Sequence, residues 1–154
     1  MAARLHRLIY VSRWASGLGE DIAAALRRIV MASMGKNRLS DITGLLLAHE
    51  GWFLQALEGP EAAVLSVVAR IARDPRHRDL QVLFSGPDEA RLFSDWNMAG
   101  AKLGPDAEPL LTALGQLARF DGHALDADAA LQLLKFAGDS ERRIERAGLG
   151  LSAG

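Results

Sequence analysis

Two apolar runs, Ile42 to Ala48 and Trp52 to Leu57, stand on either side of the short polar turn His49-Glu50-Gly51. Runs of that length joined by so tight a turn fold as a β-hairpin. A hairpin this apolar has to be covered by other elements, and the flanking sequence supplies them. Upstream, Arg4 to Ser12 crowds Leu5, Leu8, Ile9, Tyr10 and Val11 into a first strand. Ser16, Gly17 and Gly19 make a loop. Glu20 to Met34 then shows helical spacing, with Ile22, Leu26, Ile29 and Val30 on one stripe and Arg27 and Arg28 turned away. Gly35 stands where a C-cap is expected. Downstream, Gly59-Pro60 ends the hairpin and opens a helix from Glu61 to Arg73. Val64, Val67, Val68 and Ile71 line it, and Asp74-Pro75 stops it. Leu80 to Phe84 reads as a fourth strand and Leu92 to Met98 as a short fifth. The order β-α-β-β-α-β(-β) is that of an α+β, ferredoxin-like split βαβ fold. In it the first and third strands are central neighbours and both helices cover one face.

The texture changes after Gly100. Gly104-Pro105 reads as a linker, and two amphipathic helices are expected over Asp106–Phe120 and Leu125–Phe136, with Asp106 and Asp126 as N-caps. Leu110, Leu111, Leu114 and Leu117 line the first, and Leu131, Leu134 and Ala127 the second. These stripes need cover, either on the open face of the sheet or in a homodimer. The charged, then Gly-rich stretch from Asp139 to Gly154 reads as a flexible tail.

Composition narrows the chemistry. The chain has 154 residues and a net charge of −1, which gives it no general attraction to nucleic acid or an anionic membrane. It contains no cysteine, so thiolate metal sites and Cys nucleophiles are excluded. Its four histidines, His6, His49, His77 and His123, show no ligand spacing. No secretory h-region opens it and no apolar run is long enough to span a bilayer, so a cytoplasmic protein is expected.

Period-2 alternation along Trp52 to Leu57 puts Phe53, Gln55 and Leu57 on one face. Both faces of that strand are otherwise apolar, so a primary amide points into a core, where each unpaired polar group costs about 1–3 kcal/mol. Tyr10 is the only tyrosine of the chain and lies mid-strand in the neighbouring element, with Leu8 and Ser12 on its face. A phenol and an amide facing each other beside a polar ring edge would satisfy one another. The residues alone leave a second reading open. With the register one place off, Gln55 faces solvent and Tyr10 is a core aromatic.

Five segments bear on that choice. They are Leu8-Ile9-Tyr10-Val11-Ser12; Asn37 followed by Ile42-Thr43-Gly44-Leu45-Leu46; Phe53-Leu54-Gln55-Ala56-Leu57-Glu58-Gly59-Pro60; Ile71-Ala72-Arg73-Asp74-Pro75-Arg76-His77-Arg78; and Phe93-Ser94-Asp95-Trp96-Asn97-Met98. In order and spacing, over about residues 4 to 100, they resemble the BLUF family of flavin-binding blue-light sensors. The resemblance implies an isoalloxazine ring held between the two helices. In that family the tyrosine gives an electron to the photoexcited flavin and a proton follows through the glutamine. The glutamine then rearranges its hydrogen bonds to the flavin carbonyl and N5, and the absorption shifts to the red. Carried over, Tyr10 is the electron donor, Gln55 the switch, and Asn37 the partner of the ring's carbonyl and imide edge. Ser12 and Thr43 give nearby support, and Arg70 lies near the ring edge. Asp74, Arg76 and His77 fall where ribityl and phosphate contacts belong. Trp96 and Met98, two apart on the last strand and hence on one face, pass the signal to the C-terminal helices. Trp14 and Trp52 are assigned to packing, and Lys36 and Arg38 to Asp41 carry no assignment.

The resemblance also implies FAD as cofactor, with FMN and riboflavin chemically compatible. It divides the chain into a flavin domain over 1–100, a helical extension over 101–138 and the tail over 139–154. With no room for an effector domain in the last fifty residues, the expected output is contact with a homodimer mate or a downstream protein partner. Two other uses of the fold compete. An acylphosphatase-like enzyme would use Arg13 and Asn37, although Asn37 falls in the wrong element and the first loop lacks an anion-cradling pattern. A cofactor-free module, such as an RNA-binding sheet, would display aromatics on its open face, where only Trp52 stands out.

Overall fold

The computed structural model describes residues 5–15 and 22–148. The expected loop at Ser16, Gly17 and Gly19, the Ile22 side chain and the tail beyond Gly148 lie outside the described residues. The elements are β1 (Leu5–Trp14), α1 (Ile22–Leu39), β2 (Thr43–His49), β3 (Trp52–Pro60), α2 (Glu61–Arg73), β4 (His77–Pro87), β5 (Ala99–Lys102), α3 (Glu108–Ala113) and α4 (Ala127–Gly148). One five-stranded sheet runs β4-β1-β3-β2-β5. Its pairs are antiparallel except β2 with β5. β1 and β2 are therefore split by β3, which is the ferredoxin-like arrangement the order of elements predicts.

The hairpin is closed by Glu50 and Gly51, which take φ of 46° and 83° and leave His49 opposite Trp52. Positive φ at both central residues matches the right-handed twist of the flanking strands, and glycine takes it without a Cβ penalty.

The sheet is covered on both sides, so its inner strands read as nearly continuous apolar runs rather than alternating ones. On one face Leu8, Tyr10, Leu46, Phe53 and Leu57 pack against Leu26 and Ile29 of α1 and Val64 of α2. On the other, Ile9, Val11, Leu45, Leu47, Leu54 and Ala56 meet Leu111 of α3, Leu125, and Leu133, Leu134 and Ala137 of α4. Apart from Leu117, which is exposed, the C-terminal apolar stripes are thus spent on the open face of the sheet.

Three expectations fail. α1 does not stop at Met34 but runs through Gly35 to Leu39, and Asp41, at φ 58°, makes the left-handed exit. Glycine inside a helix costs only about 1 kcal/mol relative to alanine, too little to end it while the helix still packs on the sheet. Leu92 to Met98 is irregular chain, and the fifth strand is Ala99–Lys102. The two C-terminal helices are redistributed. The first shrinks to α3, with Asp106 inside a 3-10 turn capped by Gly104, while α4 continues through the expected tail to Gly148. Asp126 does cap α4, its carboxylate accepting the Ala129 N–H at 2.8 Å.

Leu133 is fully buried between α4 and the sheet. Leu133→Ala is expected to cost about 2–5 kcal/mol in urea unfolding. Because α4 and the sheet share that core, far-UV circular dichroism and tryptophan fluorescence should report one coincident transition in both proteins.

Candidate functional site

Tyr10 and Gln55 are direct partners in the antiparallel β1–β3 ladder. Their side chains leave the sheet on the same face and stand about 5 Å apart at Cβ, close enough to meet. The Tyr10 hydroxyl donates to Gln55 Oε1 at 2.5 Å, with Tyr10 fully buried and Gln55 3% exposed. The inward reading of Gln55 is the one the register selects. Burial first, and the negative charge of Asp74 second, raise the Tyr10 phenol well above its ordinary value, so it stays protonated. The amide's other end donates to Met98 Sδ at 3.3 Å. A thioether is a weak acceptor, so Gln55 has one strong bond and one weak one. Gly44 makes room for this: a Cβ there would lie 2.1 Å from the Ala56 carbonyl and 3.1 Å from the Met98 methyl.

Beside this pair a cleft of about 220 Å³ opens between α1 and α2. Ile29 and Ala32 of α1 and Val67 and Ile71 of α2 give it apolar walls, and Gln55 and Asn37 give it a polar end. Asn37, 3% exposed, donates from Nδ2 to the Asn97 carbonyl at 2.8 Å, while its Oδ1 has no protein partner among the described residues. Behind the cleft, Ser12 Oγ and His77 Nδ1 lie 2.8 Å apart, and His77 packs 5.0 Å from the Phe53 ring. Burial lowers His77 to about 4, against the opposing pull of Asp74, so its ring is neutral at pH 7. At the rim, Asp74 holds Arg76 through both oxygens, the shortest contact being 2.6 Å. That side-chain hydrogen bond keeps the Asp74 carboxyl below its usual range and raises Arg76. Lys36 and Arg70 also line the cleft, and neither side chain has an ion pair among the described residues.

The structure therefore gathers Gln55, Asn37, Arg70, Asp74, Arg76 and His77 at one cleft, with Tyr10 and Ser12 buried behind it and Met98 against the amide. Thr43 does not belong to it. It pairs with Glu58, three places along β3 from Gln55, and that odd spacing turns it to the opposite sheet face, where its hydroxyl accepts from Arg91 at 2.9 Å. The shared face expected of Trp96 and Met98 is also wrong, because neither is in a strand and period-2 alternation does not apply. Met98 packs with the α1 and α2 side of the sheet and Trp96 with the α4 side. Trp96 Nε1 donates to Glu145 of α4 at 2.7 Å, and Arg142 lies 5.0 Å over its ring. Lys36, Ala32 and Ser33 were missed as lining residues, although they continue the Ile29 stripe at helical spacing, Lys36 beyond Gly35.

The competing uses lose their residues. Arg13 stacks 4.5 Å over Trp52 on the far side of the sheet, away from Asn37. Trp52 itself is buried beneath Phe120 and His123 rather than displayed for base stacking. Among the described residues no cluster could hold a metal ion, and no helix is long and apolar enough to cross a membrane.

A family model described as sensors of blue light using FAD matches residues 5–99. The chain belongs to the BLUF family. The alpha subunit of the photoactivated adenylate cyclase of Euglena gracilis is 35% identical over 119 residues, which is 75% of this chain. That stretch is 11% of the cyclase subunit, so the chain spans about a tenth of the length of the curated relatives it matches. Two solved structures are matched over nearly all of their own length. BlsA in its photo-activated state superposes with a TM-score of 0.79 at 25% identity, covering 87% of this chain and 94% of its own. BlrB in its dark state gives 0.62 at 32% identity, covering 77% and 93%. The cleft thus offers apolar walls, two amides at one end and two cations that have no ion pair among the described residues.

His77 carries a pH signature. An imidazole held at about 4 when folded and near 6.5 when unfolded binds fewer protons in the native state across that window. Its contribution is complete above pH 6.5 and is lost as pH falls toward 4, on the order of 3 kcal/mol at most. Stability measured by urea unfolding from pH 7 to 4 should therefore fall more steeply for wild type than for His77→Gln, which lacks the titrating ring.

Proposed function

We propose that this chain is a blue-light photoreceptor that holds FAD in the cleft between α1 and α2, with Tyr10 as electron donor and Gln55 as the switch. The observation that carries the reading is the 2.5 Å bond from the Tyr10 hydroxyl to Gln55 Oε1 in the wall of that cleft. Ile29, Ala32, Val67 and Ile71 would hold the faces of the ring, and Asn37 and Gln55 its polar edge. Lys36 and Arg70 would hold the charge of the tail, since Arg76 is already committed to Asp74. The flavin supplies absorption of blue light and an excited state able to take an electron.

Tyr10 is arranged to give that electron. Its phenol is protonated and buried, and once oxidised it becomes far more acidic, with its proton already directed at Gln55 Oε1. Gln55 is placed to pass that proton on toward a flavin held in the cleft, and in doing so it would release its weak bond to Met98 Sδ. Once Tyr10 has its electron and proton back, what would remain changed is the hydrogen bonding of Gln55, read as a red shift of the bound flavin. Met98 feels the departure of the amide directly. Trp96, two residues away, hands the displacement to Glu145 and Arg142 of α4. The chain catalyses no reaction of its own in this reading, and its output is contact with a downstream protein partner. Of the apolar stripes that pointed to a homodimer, Leu111 and Leu134 are buried on the sheet, Leu110, Leu114 and Leu131 pack partly against it, and Leu117 is exposed.

Purified protein should be yellow, and its difference spectrum after blue light should show a small red shift that decays in darkness. Gln55→Ala should bind flavin but lose the shift, and Tyr10→Phe should lose the photocycle. A Gln55→Ala protein that photocycles normally overturns the assignment.

A further inference from the structure

Glu58 belongs to the strand that carries Gln55, yet the photochemistry gives it no role. Its carboxylate is completely buried. It is also fully bonded, and every bond leads to one place. Oε1 accepts the Phe93 N–H at 2.8 Å, and Oε2 accepts the Leu92 N–H at 2.8 Å together with Nε and Nη2 of Arg7 at 3.2 and 3.1 Å. Arg7, directly opposite Glu58 in the β1–β3 ladder, also donates to the Ala90 carbonyl at 3.1 Å and pairs with Asp88. Arg91 closes the outer side, donating to the Glu58 carbonyl at 3.2 Å, to Thr43 Oγ1 at 2.9 Å and to the Asp41 carbonyl at 2.8 Å. The stretch from Asp88 to Phe93 is thereby tied to β1, β2 and β3 at once.

That stretch is the root of the segment holding Trp96 and Met98. Beyond it the chain is gripped from two sides. Met98 lies against Gln55 on the cleft side, while Trp96 is held by Glu145, and Leu92 and Asp95 are held by Arg142. A shift of Met98 reaches α4 only if the segment turns about a fixed root. With a loose root, the same shift is taken up as slack.

We propose that Glu58 is a positioning residue for signal output: it clamps Leu92 and Phe93 so that a change at Gln55 and Met98 is delivered through Trp96 to α4. The inference rests on Gln55 being the light-driven switch. Glu58→Gln keeps the shape but removes the charge and turns one acceptor into a donor aimed at a backbone N–H.

The test uses the flavin-loaded full chain, in darkness and under steady blue light. The Trp96 indole N–H resonance, assigned with Trp96→Phe, reports output, and the flavin difference spectrum reports photochemistry. Wild type should show both a red shift and a light-dependent Trp96 resonance. Glu58→Gln should keep the full red shift while the Trp96 light-minus-dark change falls at least two-fold. An unchanged Trp96 response in Glu58→Gln sinks the proposal, as does a red shift that falls in proportion with it. Should Glu58→Gln not fold, Arg91→Gln loosens the outer arm alone. A reduced Trp96 response with intact red shift there supports the clamp, and a full response rejects it. A wild type with a red shift but a Trp96 resonance indifferent to light also rejects it. No red shift in wild type would remove the photoreceptor reading itself.

Discussion

A phenol and a primary amide face each other across β1 and β3, and much of the molecule follows from keeping both dry. The pair fixes the register of the central ladder. A slip of one residue would carry Gln55 to the opposite face and leave the Tyr10 hydroxyl unpaired in the core, at about 1–3 kcal/mol. It also sets the position of the cleft, since Gln55 must present its remaining polarity somewhere. On one side that need is met only by the sulfur of Met98, so the amide sits between a strong partner and a weak one. An amide so placed has a cheap way to rearrange, which a fully satisfied one would lack.

Covering the sheet on both faces creates the problem of getting information from one to the other. β1, β2 and β3 are buried on each side, and close-packed strands do not transmit a change of amide bonding by bending. The irregular segment between β4 and β5 is different. It passes the edge of β2 with Gly44 N–H donating to the Trp96 carbonyl at 3.0 Å, and it places Met98 on the cleft side and Trp96 on the α4 side. Two residues of non-repetitive chain accomplish what a strand cannot, because a strand would set both side chains on one face.

That same point marks the limit of what the sequence discloses. The face that Gln55 shares with Phe53 and Leu57, and Tyr10 with Leu8 and Ser12, was legible because both strands are long and apolar. With both faces apolar, only the family resemblance chose the inward register. Asp126 was legible as a cap for a local reason. Trp96 and Met98 were misplaced because period-2 reasoning was applied to apolar residues that follow no period. Thr43 was misplaced because motif position says nothing of which face a residue takes; its parity with Glu58 does. Gly35 misled because a glycine ends a helix only where the chain also turns, and here the left-handed exit is made by Asp41. The Asp139 stretch looked too charged to order, yet Arg142 and Glu145 spend those charges on Asp95, Leu92 and Trp96. Pairing partners distant in sequence are invisible to local composition.

The least expected partner set is Arg7 with Glu58, opposite charges in the two inner strands. Burying such a pair gains little stability, because the loss of hydration offsets most of the attraction, and apolar residues of similar size often serve as well or better. Core cohesion is therefore a poor explanation for it. What apolar residues cannot supply is direction. A carboxylate accepting two successive backbone N–H groups, with a guanidinium held on its free side, fixes where Leu92 and Phe93 lie and how the chain leaves them. The rim of this sheet needs that definition, since the next few residues have to reach both of its faces.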